Sequence, residues 1–349
     1  MSQIIRSRAP LRISFGGGGT EIDPYRSKSG GEVLNSTISL YAYTTIKESG
    51  QKDTISFIAT DLEVKEKYSL NALLKDDKCL KKSKLKIHIA TFKNIIEEHE
   101  TQNLSSLEIT TFCDAPVGSG LGSSSTLTVA MIEAFNKYLN LDLNKYEIAK
   151  KAFYIEREKL GLYGGQQDQF SAAFGGFNYI DFKKSGLVNV SKLNLAKKTL
   201  LELEASLILA YTGISRDSGK IIESQIKKDI SNDTYYIENL NEIKIYARKM
   251  KKELLKNNIV EFGHLLDQSW AKKRKLSKLI SSKSIDNLYS NAKDLGAYGG
   301  KISGAGGGGF FMIICNPTKK RIIINELIKM NNQIYTVHFS KNGSESWEI

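Results

Sequence analysis

The sequence predicts a two-domain α+β protein with its active cleft between the halves. Strand-like segments gather ahead of a central helix instead of alternating with helices in regular βαβ repeats. A glycine-rich turn joins a strand to that helix across 114–134. A second half, opening on the apolar run 205–210, mixes long helices with further strands. A chain of 349 residues is long enough for two cores, and the division is expected near 190–205, giving halves at 1–195 and 205–349.

In chain order, 8–15 reads as a strand with Leu11, Ile13 and Phe15 on one face and Arg12 and Ser14 on the other. It ends in Gly16, Gly17, Gly18 and Gly19, a run too costly for an element interior and suited to close backbone approach. Thr20, Glu21, Asp23 and Tyr25 follow, with hydrogen-bonding groups that a polyhydroxylated substrate needs; the same stretch also fits a tight loop with exposed acids. Further strands are expected at 39–46, 54–59 and 63–68, a helical turn near Asn71 and an amphipathic helix at 85–98.

At 107–113 apolar residues alternate, and from Leu127 to Tyr138 they follow helical spacing. Between them Gly118, Ser119, Gly120, Leu121, Gly122, Ser123, Ser124 and Ser125 form a turn into a helix N-terminus, whose unpaired amides can hold phosphate. No Lys follows Gly122, so this is not the usual nucleotide P-loop, and a nucleotide here needs Mg²⁺ and a base from elsewhere. In the helix expected at 143–160, Glu156 falls on or beside the apolar stripe and needs a cation or a strong hydrogen-bond partner. After a glycine turn, Asp168 stands where it can converge with Glu156 or cap the helix of 169–174. A strand is expected at 177–182 and connecting chain over 187–200.

In the second half, the strand 205–210 leads to a polar turn in which Arg216 and Lys220 can meet phosphate oxygens, as can Arg6, Arg8 and Arg12 earlier. Helices are expected at 225–255, 259–276, 284–295 and 319–330, and strands at 310–315 and 334–339. The glycine density of 299–309 implies tight packing under another backbone or a bound phosphate. His264 sits among apolar neighbours and reads as structural.

Fifty Lys and Arg against 38 Asp and Glu give a net charge of +12. Much of the lysine lies in helical stretches, including 272–278, and reads as solvated exterior; no zinc-finger or single-strand-binding pattern accompanies it, so nucleic acid is not the expected partner. Cys79, Cys113 and Cys315 have no disulfide or zinc spacing. The first residues lack a secretory signal pattern and no apolar run reaches membrane-spanning length, so a cytoplasmic protein without a membrane partner is expected, as monomer or homodimer.

Three separated motifs resemble those of the GHMP small-molecule kinases, which include galactokinase, homoserine kinase and mevalonate kinase. They are residues 10–20, 116–125 and 301–309, in that order and over nearly the whole chain. The resemblance implies an N-terminal domain like ribosomal protein S5 domain 2 and a ferredoxin-like C-terminal domain. It implies ATP on the amides of 118–125, Mg²⁺ on Ser124 and Glu156, and Asp168 as the catalytic carboxylate. Arg12, Gly17, Gly18, Gly19, Thr20, Glu21, Asp23, Tyr25, Arg216, Lys220, Gly306 and Gly307 would serve the acceptor. Where relatives carry Asp directly after the motif threonine, this chain has Glu21, with Asp23 as the other carboxylate. The chain is most similar to members acting on heptose phosphates, which implies phosphorylation of the anomeric hydroxyl of D-glycero-D-manno-heptose 7-phosphate for surface-polysaccharide synthesis. A fucose-like sugar 1-kinase and a nucleotide-regulated interaction protein are the alternatives.

Overall fold

The computed structural model describes residues 3–76, 78–99, 105–214 and 218–349. Strands β1 (Ile4–Gly16), β2 (Gly31–Glu48), β3 (Thr54–Ala59), β4 (Val64–Ser69), β5 (Leu107–Cys113), β6 (Phe177–Phe182) and β7 (Val188–Lys192) build one sheet. A second sheet takes β8 (Leu207–Tyr211), β9 (Ala297–Ile302), β10 (Phe310–Cys315) and β11 (Gln333–Tyr335) in the order β11-β8-β10-β9. The last strand, β12 (Glu345–Glu348), returns to the first sheet, whose order is β12-β1-β2-β5-β3-β4, with β6 beside β2 and β7 beyond it.

Among the described residues all strand pairings are antiparallel except β3 with β5. The long β2 organises the first sheet, because β1 runs along one edge while β5 and β6 share the other. Each end of β2 therefore has its own neighbour, and β5 delivers the chain from the sheet into the glycine-rich turn of 118–125, the phosphate-loop turn, so called after the motif it resembles.

Two apolar cores meet at the second sheet. Leu207 and Leu209 of β8 and Phe310, Met312 and Ile314 of β10 face the larger core under the first sheet. The alternate residues, Ile208, Ala210, Phe311 and Ile313, face a smaller core with Trp270 and Leu240. Burial on both faces explains why β8 and β10 read as continuous apolar runs.

The fold corrects several boundaries. Residues 187–200 are not simple connecting chain: they carry β7 and the start of the helix Lys197–Ser206. That helix occupies the first residues expected as strand, so β8 begins only at Leu207. The expected helix 225–255 is two, Ser218–Ile230 and Thr234–Leu255, broken where Asn232 takes a φ of 52° and Asp233 caps the second through Tyr236 N at 3.1 Å. β9 forms from glycine-bearing chain read as loop, and β11 ends early because Phe339 crosses to bridge Ile38 in the first sheet. Among the described residues no helix is long and apolar enough to cross a membrane.

Candidate active site

A cavity of about 840 Å³ lies along the phosphate-loop turn, walled by both halves of the chain. Ala59, Leu62, Leu85 and Val117 make one end apolar, whereas Arg12, Glu21, Gln167, Asp168 and Lys273 line the other. Gly118, Gly120, Gly122, Ser123, Ser124 and Ser125 lie between. Here the chain enters the helix Ser123–Tyr138, whose first amides have no carbonyl to bond within the helix. Gly122, at φ 77°, makes the entry; a side chain there would press on the Asp168 carboxylate at 3.0 Å.

The glycine-rich segment before β10 clasps this turn from the other half of the chain. A Cβ on Gly309 (φ 84°) would sit 2.2 Å from the Ser119 carbonyl oxygen, while Phe310 N donates to that oxygen at 2.9 Å. The turn is thus set by strands from both sheets. Ser119 and Leu121 are buried behind it, Ser119 Oγ without a hydrogen-bond partner among the described residues, and the Leu121 carbonyl accepts from Arg12 N at 3.2 Å.

Arg12, buried in β1, donates through Nε to Asp168 Oδ1 at 2.7 Å, through Nη1 to the Gly120 carbonyl at 2.6 Å, and places Nη2 2.6 Å from Oδ1. Asp168 does not cap its helix. It sits in the first turn of Gln167–Phe174, which starts from Gln166 with no side-chain cap, and its carboxylate is committed to Arg12. Ser124 Oγ donates to Glu156 Oε1 at 2.9 Å, and Gln169 Nε2 donates to Oε2 at 2.5 Å. Glu156 is buried, so these bonds supply the compensation its burial demands. The two oxygen donors in the cavity wall, a hydroxyl and a carboxylate, suit Mg²⁺, which takes hard oxygen ligands and commonly uses one or two from protein beside substrate phosphates.

The structure separates the other candidates. Glu21 lines the cavity, accepting from Gly19 N and from Gln167 Nε2, both at 2.7 Å, and burial raises its pKa. Gly19 lines it too. Gly17 and Thr20 instead build the turn: Thr20 Oγ1 donates to Gly17 O at 2.7 Å, and a Cβ on Gly17 would strike the Glu32 carbonyl. Gly18 packs against Ser14 and the Lys273 ammonium. Asp23 is exposed and bonded to Arg26, and Tyr25 is buried in the smaller core with its hydroxyl on Asn241 at 2.6 Å. Gly306 and Gly307 pack on Ile280, where Gly307 N donates to Ile280 O at 2.7 Å. Arg6 is exposed on β1 opposite Trp347, Arg8 pairs with Glu345, and Lys220 is exposed on its helix; none of these lines the cavity. Arg216 lies outside the described residues.

Two cations escaped the sequence reading. Lys273 belongs to a lysine-rich stretch expected on the exterior, yet it is buried, donating to Gly304 O at 2.8 Å and Gly18 O at 3.4 Å. Burial depresses its pKa to about 8 against the opposing pull of Glu21. A signal was present: Phe262, Leu266, Ser269, Trp270, Lys273 and Leu276 fall on one helical stripe, all buried. Lys301, also buried, donates to Ser14 O at 2.5 Å, and burial lowers its pKa further.

Sequence profiles decide the family. That of the GHMP kinases N terminal domain matches residues 86–176, and that of the GHMP kinases C terminal matches 250–333. The D-glycero-alpha-D-manno-heptose 7-phosphate kinase of Campylobacter jejuni is 40% identical over 347 residues, covering 99% of either chain. The chain belongs to the GHMP kinases. A crystal structure of a D-glycero-D-manno-heptose 1-phosphate kinase from Bacteroides thetaiotaomicron superposes with a TM-score of 0.82 at 34% identity, over 99% of both chains. The L-fucokinase/L-fucose-1-P guanylyltransferase of Bacteroides fragilis is 28% identical over 94% of this chain and 36% of that longer enzyme. In this GHMP kinase the two-domain fold therefore carries ATP-dependent phosphoryl transfer to a sugar.

Proposed function

We propose that this sugar kinase transfers the γ-phosphoryl group of ATP to the anomeric hydroxyl of D-glycero-D-manno-heptose 7-phosphate. The product is the 1,7-bisphosphate, a precursor of nucleotide-activated heptose for surface polysaccharide. The observation that carries the reading is the Arg12–Asp168 pair, at 2.7 Å, beside the phosphate-loop turn on the polar side of the cavity.

The amides of 118–125 receive the ATP phosphates, with Ser123 assisting. The acceptor hydroxyl lies against Asp168, which orients it toward the γ-phosphorus and takes its proton as the new O–P bond forms and the bond to ADP breaks. Arg12 fixes the carboxylate and, through Gly120, ties it to the turn that holds the phosphates. Glu21 and Gln167 supply hydrogen bonds to the sugar hydroxyls. Ser124 and Glu156 would hold Mg²⁺, which when bound would compensate the negative charge of the phosphates.

The names of the two heptose relatives put the acceptor's phosphate on different carbons, so position is the point to test. ADP release is to be followed over a panel of heptose, heptose 7-phosphate, heptose 1-phosphate and fucose with ATP and Mg²⁺, and the new phosphate located by NMR. Heptose 7-phosphate as best substrate with phosphate gained at C1 supports the reading; heptose 1-phosphate with phosphate gained at C7 rejects it. The likeness to an L-fucokinase favours a second reading, an unphosphorylated sugar 1-kinase, which the same panel separates.

A further inference from the structure

We propose that the Arg157 guanidinium binds the phosphate monoester carried by the acceptor, which makes it the residue that selects a phosphorylated sugar over a free one. The inference rests on the heptose 7-phosphate reading above. It starts from the cations that line the cavity among the described residues: Arg12, Lys84, Lys86, Arg157 and Lys273. Arg12 is spent on Asp168 and Gly120, and Lys273 is buried on two carbonyls. Lys84 and Lys86 are exposed beside Leu85, at the apolar end.

Arg157 differs from all of these. It belongs to the π turn Ile155–Lys159, where Leu160 N bonds to Ile155 O at 3.1 Å. The wide turn lets two consecutive residues, Glu156 and Arg157, both face the cavity. Among the described residues its hydrogen bonds run to the carbonyls of Leu162 and Gly165, both at 3.4 Å, its guanidinium lies 5.9 Å from the Phe153 ring, and its buried Nε has no hydrogen-bond partner. The Glu156 carboxylate, at 4.0 Å, is too far to accept a hydrogen bond and is already engaged by Ser124 and Gln169. A planar fork with weak contacts is free to grip a phosphate through two N–H donors.

Its position fits the acceptor. The chain at Gly164 and Gly165 lies between Arg157 and Glu21: a Cβ on Gly164 would meet the guanidinium at 2.4 Å, and one on Gly165 would meet Glu21 Cγ at 2.4 Å. Arg157 therefore stands one backbone thickness from Glu21, whose partner Gln167 directly precedes Asp168. Glu21, Arg157 and Asp168 all line the one cavity, so a sugar with its reacting hydroxyl at Asp168 can extend along the cavity, around the Gly164–Gly165 chain, and present a distal phosphate to Arg157. The other source of a phosphate at this place is ATP itself.

Titration calorimetry on the wild-type enzyme and Arg157→Gln separates the two sources, using D-glycero-D-manno-heptose 7-phosphate, the phosphate-free heptose, and ATP with Mg²⁺. The variant is expected to bind heptose 7-phosphate about 10- to 100-fold more weakly, with affinity for free heptose and for ATP unchanged. Weakened ATP binding with the heptose 7-phosphate affinity intact assigns Arg157 to the nucleotide and overturns the proposal, as does an equal loss for both heptoses. If Arg157→Gln does not fold, Arg157→Lys carries the test: the loss of the bidentate fork should weaken heptose 7-phosphate binding several-fold, and unchanged affinity overturns the proposal. A wild-type enzyme with no preference for the phosphorylated heptose rejects the substrate reading and this inference together. A wild-type preference that survives in the variant rejects the role of Arg157 alone.

Discussion

Arg12 in the first strand and Asp168 in the first turn of a short helix, 156 residues apart, are joined by a 2.7 Å hydrogen bond at the edge of the phosphate-loop turn. The geometry makes the carboxylate a fixed acceptor with its other oxygen available to a hydroxyl. Asp168→Asn keeps the shape and an oxygen for Arg12 but removes the charge and the proton acceptor. We expect kcat to fall about 100-fold or more, with KM for ATP within about twofold of wild type. Steady-state kinetics with the sugar phosphate at saturation checks this, and near-normal turnover rejects the role of Asp168.

Ser124 and Glu156 share a hydrogen bond that both would exchange for a cation. The double variant Ser124→Ala with Glu156→Gln should need more Mg²⁺ for half-maximal activity, by about 10-fold or more. Folding should be retained, because Gln169 can still bond the amide that replaces the Glu156 carboxylate. A titration of activity against Mg²⁺ at fixed ATP measures the requirement; superimposable curves would remove both residues from the metal site.

What the sequence made legible is local. The phosphate-loop turn could be read because its strand, its glycines and its helix start are contiguous, and Glu156 because helical spacing puts it on a buried stripe. The Arg12–Asp168 pair could not be, since nothing in either segment specifies a partner 156 residues away; Asp168 beside a helix start looks like a cap until the fold brings β1 across it. Lys273 was hidden by composition, which counted it among exposed lysines, whereas its position on the Phe262–Leu276 stripe marked it as buried. Tyr25 and Asp23 illustrate the opposite error. Their chemistry suits a sugar, but one is held in a core by Asn241 and the other turned outward to Arg26. The π turn that brings Arg157 to the cavity has no pattern of its own, because one widened hydrogen bond leaves the helical periodicity almost intact.

The contact between the late glycine segment and the phosphate-loop turn yields a stability prediction. Gly309 combines φ 84° with a carbonyl 2.2 Å from where a Cβ would be, so Gly309→Ala meets both backbone strain and a clash with Ser119 O. We expect a loss of about 1–3 kcal/mol or more, together with weaker ATP binding as the turn is displaced. Gly50→Ala is the control, since among the described residues nothing lies within 4 Å of a Cβ there. Thermal unfolding of the two variants should show a lower Tm for the first and little change for the second; equal melting temperatures would mean that the two loops are not tightly seated.

Lys273 adds a pH dependence whose sign follows from its burial. The folded protein loses this proton near pH 8, whereas the unfolded chain keeps it up to the ordinary lysine value of 10.5. Between those values folding releases a proton, so this group makes the fold more stable as pH rises from about 8 toward 10.5, and contributes no slope well below 8. The full effect is on the order of 3 kcal/mol across that window. Lys273→Met, which fills similar space without a charge, should remove it. The stability of the variant relative to wild type should then be greatest near pH 7, where wild type bears the cost of a buried ammonium, and should decline as the pH is raised. Urea unfolding of both proteins at pH 7, 8, 9 and 10 measures the difference. A stability difference that does not move with pH would mean that Lys273 keeps an ordinary proton affinity in the fold, its charge fully compensated by Glu21 and the carbonyls of Gly18 and Gly304.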